Sequence, residues 1–289
     1  MFDERGWACK NGSNKNTGEI VMRRSMPSRL LGLATALWVA ALVAGAGPGA
    51  AEELRVVSSG GFAAALKVLA PRFERETGHT LVLQWGPSMG ATVDAVPQRL
   101  ARGETPDVVI VVGYALDGLV KAGTVGASDV VPLAESLIGL VVREGAVVPD
   151  ISDEGKLRQV LLGARSIAYS DSASGVYIER EMFRKLGIED QVRGRTRMVP
   201  AEPVGGVVAR GDAEVGFQQI SELKPIKGIT LAGPLPAPEQ MATVFSAGVL
   251  AASAHKDAAR ALVRFLAAPE AAEAVRESGM EPVRAGARP

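Results

Sequence analysis

Between residues 53 and 123 short apolar runs alternate with segments of helical period. LRVVSS reads as a strand, and in the following GGFAAALKVLAPRFERETG the residues Leu66, Leu69, Ala70 and Phe73 recur at helical spacing until Gly78. TLVLQW is a second strand pattern, followed by the turn GPSMG and a helix over ATVDAVPQRLARG that ends near Gly103. PDVVIVVG is the continuous apolar run that a strand buried on both faces needs, and YALDGLVKAG is its helix. Three successive strand-helix units predict a parallel sheet with right-handed crossovers.

From about Pro132 a second series opens. SLIGLVVREG reads as a strand, and ARSIAYSDSASGVYIEREMFRKLGI as strand, Ser-rich turn and helix, with Tyr177, Met182, Phe183 and Leu186 as core contacts. TRMVPAEPVGGVVARGD repeats strand, turn and helix, and AEVGFQQISEL is a strand and turn. The Pro-rich GPLPAPEQ reads as a crossing between lobes; TVFSAGVLAAS is then a strand, and DAARALVRFLAAPEAAEAVRESG packs as helix. The predicted fold class is α/β.

Upstream of all this, Arg23, Arg24 and Arg29 precede the apolar LLGLATALWVAALVAGAG and a run of small residues, the pattern of a secretory signal cleaved after Ala51. An uncleaved membrane anchor is the alternative, and Met22 is a second candidate start. Residues 1 to 51 carry six Lys/Arg and three Asp/Glu out of a balanced 32 and 32, so the exported remainder is mildly acidic. It holds no basic tract, which argues against nucleic acid as a partner. The lone cysteine, Cys9, leaves with the signal, and His79 and His255 are the only histidines. Neither a disulfide nor a metal site is expected, and no cofactor.

The strand-to-helix turns carry candidate chemistry: SSGG (58–61), GPSMG (86–90), SDSASG (170–175) and PVGG (203–206). Each falls at the carboxyl end of a strand, where open α/β sheets bind ligands, and small residues there expose backbone N–H groups to an anion. GPSMG also has the G-x-S-x-G spacing of a nucleophile elbow, which makes a serine hydrolase with Ser88, Asp212 and His255 a competing reading. Against it, the elbow sits on only the second strand and no oxyanion loop precedes it. Arg165 and Arg210 are the guanidinium groups nearest to these turns; a carboxylate ligand would call for one of them.

The blocks VVSSGGFAAALKVLAPRFERETG, GPSMGATVDAVPQRLARGETPDVVIVVG and SDSASGVYIEREMFRKLGI, in that order, resemble the molybdate-type periplasmic substrate-binding proteins of ABC transporters, over residues 52 to 283. The resemblance implies a type II solute-binding fold, with lobe one formed by residues 52–133 plus 245–289, lobe two by 134–244, and a ligand cleft between them. It implies a non-enzyme: a soluble monomer in the periplasm that captures a small anionic solute, a molybdate- or tungstate-like oxyanion, and passes it to a transporter permease. A small organic carboxylate is the rival ligand. Closure would occur at crossings near residues 132–138 and 238–246. By the same resemblance the oxyanion is held without metal by the hydroxyl of Ser88 and that of Ser58 or Ser59, by the turn residues Gly60, Gly61, Met89, Ser172 and Gly175, and by backbone N–H groups at Ser174 and Val204. Gly61 stands where the family has a serine, and Gln218 or Gln219 stands where it has a tyrosine.

Overall fold

The computed structural model describes residues 50–283; the signal segment lies outside the described residues. Two sheets organise them. The first has the order β11-β4-β10-β3-β1-β2, from Glu53–Ser58 (β1), Thr80–Trp85 (β2), Val108–Val112 (β3), Val125–Ser136 (β4), Thr243–Leu250 (β10) and Glu281–Pro282 (β11). The second has the order β7-β6-β8-β5-β9, from Ile138–Arg143 (β5), Ile167–Ser170 (β6), Thr196–Val199 (β7), Val215–Gln219 (β8) and Ile229–Pro234 (β9).

As the periodicity predicts, β1 pairs in parallel with both β2 and β3, and all five residues of β3 are buried. The first helix, Gly60–Thr77 (α1), lays Phe62, Leu66, Leu69 and Phe73 onto that sheet. It ends at Gly78, whose φ of 78° is the left-handed conformation a glycine adopts without a Cβ clash, and whose N–H donates to Glu74 O. The second core gathers Ile138, Leu140, Leu157, Ile167, Ile178 and Phe217, with Tyr177, Met182, Phe183 and Leu186 buried in it.

Departures from the predicted elements have local causes. The helix predicted over 91–103 shrinks to Val96–Ala101 (α2), with Pro97 in its first turn, where a missing N–H is harmless. Val125–Ser136, to which the pattern assigns no element, is a twelve-residue strand, and β9 was not expected. The C-terminal helix is cut at Pro269 into Lys256–Leu266 and Ala272–Glu277. Among the described residues no helix is long and apolar enough to cross a membrane.

The chain passes from the first sheet to the second between Ser136 and Ile138 and returns between Pro234 and Thr243. Gln240 clamps the two passages together: its Oε1 accepts from Ile138 N at 2.8 Å, and its Nε2 donates to Ile138 O at 3.0 Å and Leu235 O at 3.3 Å. A side chain that satisfies both polar groups of one backbone residue fixes the spacing of the crossings while leaving few groups to break if they flex.

Candidate functional site

A cleft of about 590 Å³ opens between the two sheets' strand ends, within the range of small-molecule sites. From the first lobe it takes Gly60, Ala63, Ala64 and Lys67, positions that fall on one face of α1, together with Trp85 and Thr92. From the second come Ser170, Asp171 and Ser172 in the turn after β6, and Gln218, Ser221 and Glu222 around the end of β8, the last two on the short helix Ile220–Leu223. The lobes touch here. A Cβ on Gly90 would lie 3.2 Å from Asp171 O, and one on Gly60 would overlap Glu222 Oε1.

Of the candidate residues named from the turns and the family resemblance, Gly60, Ser172 and Gln218 line this cleft. Others lie behind its wall with their polar groups engaged. Ser58 Oγ donates to Ser59 O, Ser88 Oγ accepts from Val112 N at 3.1 Å, and Ser174 Oγ pairs with Ser170 Oγ. The Val204 N–H is taken by Gln218 Oε1 at 2.9 Å, so the second-lobe amide donor is already satisfied. Ser59 is buried at the start of α1, and Gly61 packs so tightly on the Phe245 ring that a side chain there would overlap it. Met89 Sδ accepts from Tyr114 OH, and Gly175 packs on Ser170 O. Gln219 belongs to the crossing region: its Nε2 donates to Thr243 Oγ1 at 3.1 Å.

The guanidinium groups lie elsewhere. Arg165 pairs with Glu214, and Arg210 with Glu202 and Asp212, all on the surface. Among the described residues no arginine lines the cleft; its basic side chain is Lys67, whose Nζ sits 5.3 Å from the centre of the Trp85 ring.

What the turns did not announce is a pair of carboxyls. Glu222 is half-buried on the cleft wall. Burial pushes its carboxyl up to about 7 from the usual 4.5; a hydrogen bond with the Gln218 side chain opposes the rise, and the nearby Asp171 charge adds to it. Burial also raises Asp171, whose Oδ2 has no hydrogen-bond partner. Thr92 Oγ1, on the facing lobe, is likewise buried and unpartnered. Unsatisfied polar atoms on both walls of one cleft are what a ligand would complete. The signals were present: Asp171 lies inside SDSASG, beside the serines, and Glu222 lies three residues past the end of β8, in the segment read as the turn of AEVGFQQISEL.

The hydrolase reading of Ser88 fails on geometry. Ten residues separate β2 from α2, so Ser88 sits in an extended loop and not on a sharp elbow. The histidines serve the opposite end of the first sheet: His79 Nδ1 accepts from Glu52 N, and His255 Nδ1 lies 3.4 Å from Glu52 Oε1.

A family model described as bacterial extracellular solute-binding protein matches residues 54–281. The chain belongs to this family. Membership supports a small solute as ligand, a transporter as partner and a place outside the cytoplasm. The periplasmic molybdate-binding protein of Azotobacter vinelandii shares the two-lobe type II fold with a TM-score of 0.64, at 23% identity over 78% of this chain and 98% of that one. By sequence, the molybdate-binding protein ModA of the same organism is 25% identical over 79% of this chain and 90% of its own. A Pseudomonas protein named aconitate isomerase is 47% identical over 80% of this chain and 88% of its own. This relative corrects the expectation of a non-enzyme. That expectation weighed a serine nucleophile against neutral anion donors and left out the cleft carboxyls, which are the groups able to move protons.

Proposed function

We propose that this protein is an extracytoplasmic aconitate isomerase, a solute-binding fold whose cleft interconverts the cis and trans forms of an unsaturated tricarboxylate. The observation that carries this reading is the 47% identity to the Pseudomonas enzyme, far above the 25% shared with a molybdate-binding relative. The cleft chemistry agrees with it. Aconitate carries a methylene group flanked by a carboxylate and a carbon–carbon double bond. Removing a methylene proton spreads the electron pair over three carbons, gives the former double bond single-bond character, and lets the skeleton turn before a proton returns at the other end. Such a reaction needs a base, hydrogen-bond donors for the carboxylates and exclusion of water, and no redox group. Lys67, the serine hydroxyls of the Ser170–Ser172 turn and the start of α1 supply positive potential. Asp94 and Glu202, at the rim, are offset by Arg99 and Arg210.

An isomerase must bind both isomers in one cleft. Thermal unfolding with cis-aconitate, trans-aconitate and molybdate tests this. Both aconitates are expected to raise the transition, by about 2.7 kcal/mol of stability at a hundred times the dissociation constant, and molybdate to leave it in place. Stabilisation by molybdate with no response to either aconitate would overturn the reading in favour of an oxyanion carrier.

A further inference from the structure

We propose that Glu222 is the catalytic residue that carries the proton between the two ends of the substrate, an inference that rests on the isomerase reading. Its carboxyl projects from the short helix after β8 across to the first turn of α1 in the other lobe, where Gly60, having no side chain, leaves room for it. It therefore stands where both lobes meet a bound molecule. Gln218, near the end of β8, lines the same wall, and its side chain hydrogen-bonds the Glu222 carboxyl.

Elimination among the cleft's own groups leaves Glu222 and Asp171, of which only Glu222 reaches across to the other lobe. Asp94 lies 3.7 Å from Arg99, and Glu202 lies 3.1 Å from Arg210, so both carboxyls are already engaged in ion pairs with guanidinium groups. Lys67 Nζ packs over the Trp85 ring, and Ser170 is hydrogen-bonded to Ser174. Both histidines contact Glu52, away from the cleft. Asp171 remains, on the Ser170–Gly175 turn, and its charge acts on Glu222. The charged group acting on Glu222 is thus Asp171 from its own lobe; Lys67 of α1 lines the same cleft, and Lys224, just past the end of the short helix, is exposed and lies beside Gly279.

The step balances without a co-reactant. The Glu222 carboxylate takes a proton from the methylene carbon, forming an O–H bond and breaking a C–H bond. The freed electron pair delocalises across the allyl system onto the terminal carboxylates. Protonated Glu222 then gives the proton to the opposite terminal carbon, the double bond settles between the other pair of carbons, and the carboxylate is regenerated. A proton affinity near neutral suits a group that must both take and return a proton at each turnover.

Three variants of the exported chain test this against cis-aconitate: Glu222→Gln, Glu222→Asp and Asp171→Asn. Glu222→Gln is expected to lower kcat by about a thousand-fold while trans-aconitate still raises its melting temperature. Wild-type kcat/KM is expected to climb as pH rises through about 7 and then level, because the carboxylate is the active form. Asp171→Asn, by removing a like charge, should move that rise to lower pH. A purely structural Glu222 would not move the pH profile. Turnover by Glu222→Gln within ten-fold of wild type, or a pH profile unmoved by Asp171→Asn, overturns the assignment while leaving the isomerase reading in place. If Glu222→Gln does not fold, Glu222→Asp decides: a displaced pH limb supports the role, and an unchanged one removes it. Absence of turnover in wild type would defeat the isomerase reading and this assignment with it.

Discussion

At pH 8 the Glu222→Gln variant is expected to be more stable than wild type by about 2 kcal/mol, although it is expected to be inactive. Burial raises the Glu222 carboxyl from 4.5 to about 7. A folded-state value above the unfolded one means that the folded protein keeps a proton the unfolded chain has lost between those limits. Wild-type stability from this group is therefore full below about pH 4.5 and declines as pH rises, reaching its floor above about 7. At roughly 1.4 kcal/mol per pH unit the ionised group costs about 3 kcal/mol. Glu222 is only half-buried, and solvent screening lowers that cost to about 2 kcal/mol. Glutamine has the shape of the neutral acid and escapes the cost. Urea unfolding at pH 4 and pH 8 measures it: the two proteins should coincide at pH 4 and separate at pH 8. Equal stability at both values would mean that the carboxyl is not strained by its site. A gain in stability at the loss of activity is the usual mark of a group kept for chemistry.

Gly175→Ala is expected to destabilise the second lobe by about 3 kcal/mol or more. A Cβ at this position would overlap the backbone carbonyl of Ser170, and neither partner is the free end of a side chain that can swing aside. Gly60 is the instructive contrast, since its added Cβ would meet the end of the Glu222 side chain, which has rotamers to spare. The Ser170–Gly175 turn carries Asp171 into the cleft, so the lesion at Gly175 should also weaken ligand binding. Denaturant unfolding of Gly175→Ala reports the first effect; a loss below about 1 kcal/mol would show that the turn yields more easily than its packing implies.

Much of the fold was readable from the chain because burial imposes period. Val108–Val112 is apolar throughout because both its faces are covered, and Leu66, Leu69 and Phe73 mark the inner face of one helix. The strand Val125–Ser136 was not readable in the same way. Its inward and outward residues follow no clean alternation, since it bends along β10 with register shifts. At the site, small turn residues lie at the strand ends where the cleft opens, and Gly60 and Ser172 line it together with Gln218. Their neighbours Ser58, Ser88 and Ser174 do not, because serine hydroxyls at such turns serve backbone and one another equally well. Glu222 and Asp171 escaped notice because an acid in a turn looks solvated in one dimension. Only the packing of the two lobes shows that they are enclosed and lack a guanidinium partner.

The central claim, that this cleft moves a double bond, is tested most directly by mixing the exported chain with a large molar excess of cis-aconitate, with no added cofactor, and following the vinyl proton signals by NMR. The trans signal is expected to grow to many times the protein concentration and to stop at the same cis-to-trans ratio when the reaction is started from trans-aconitate. A cis signal that stays constant, with a protein that is folded and able to bind the compound, would contradict the account and return the chain to the role of a carrier.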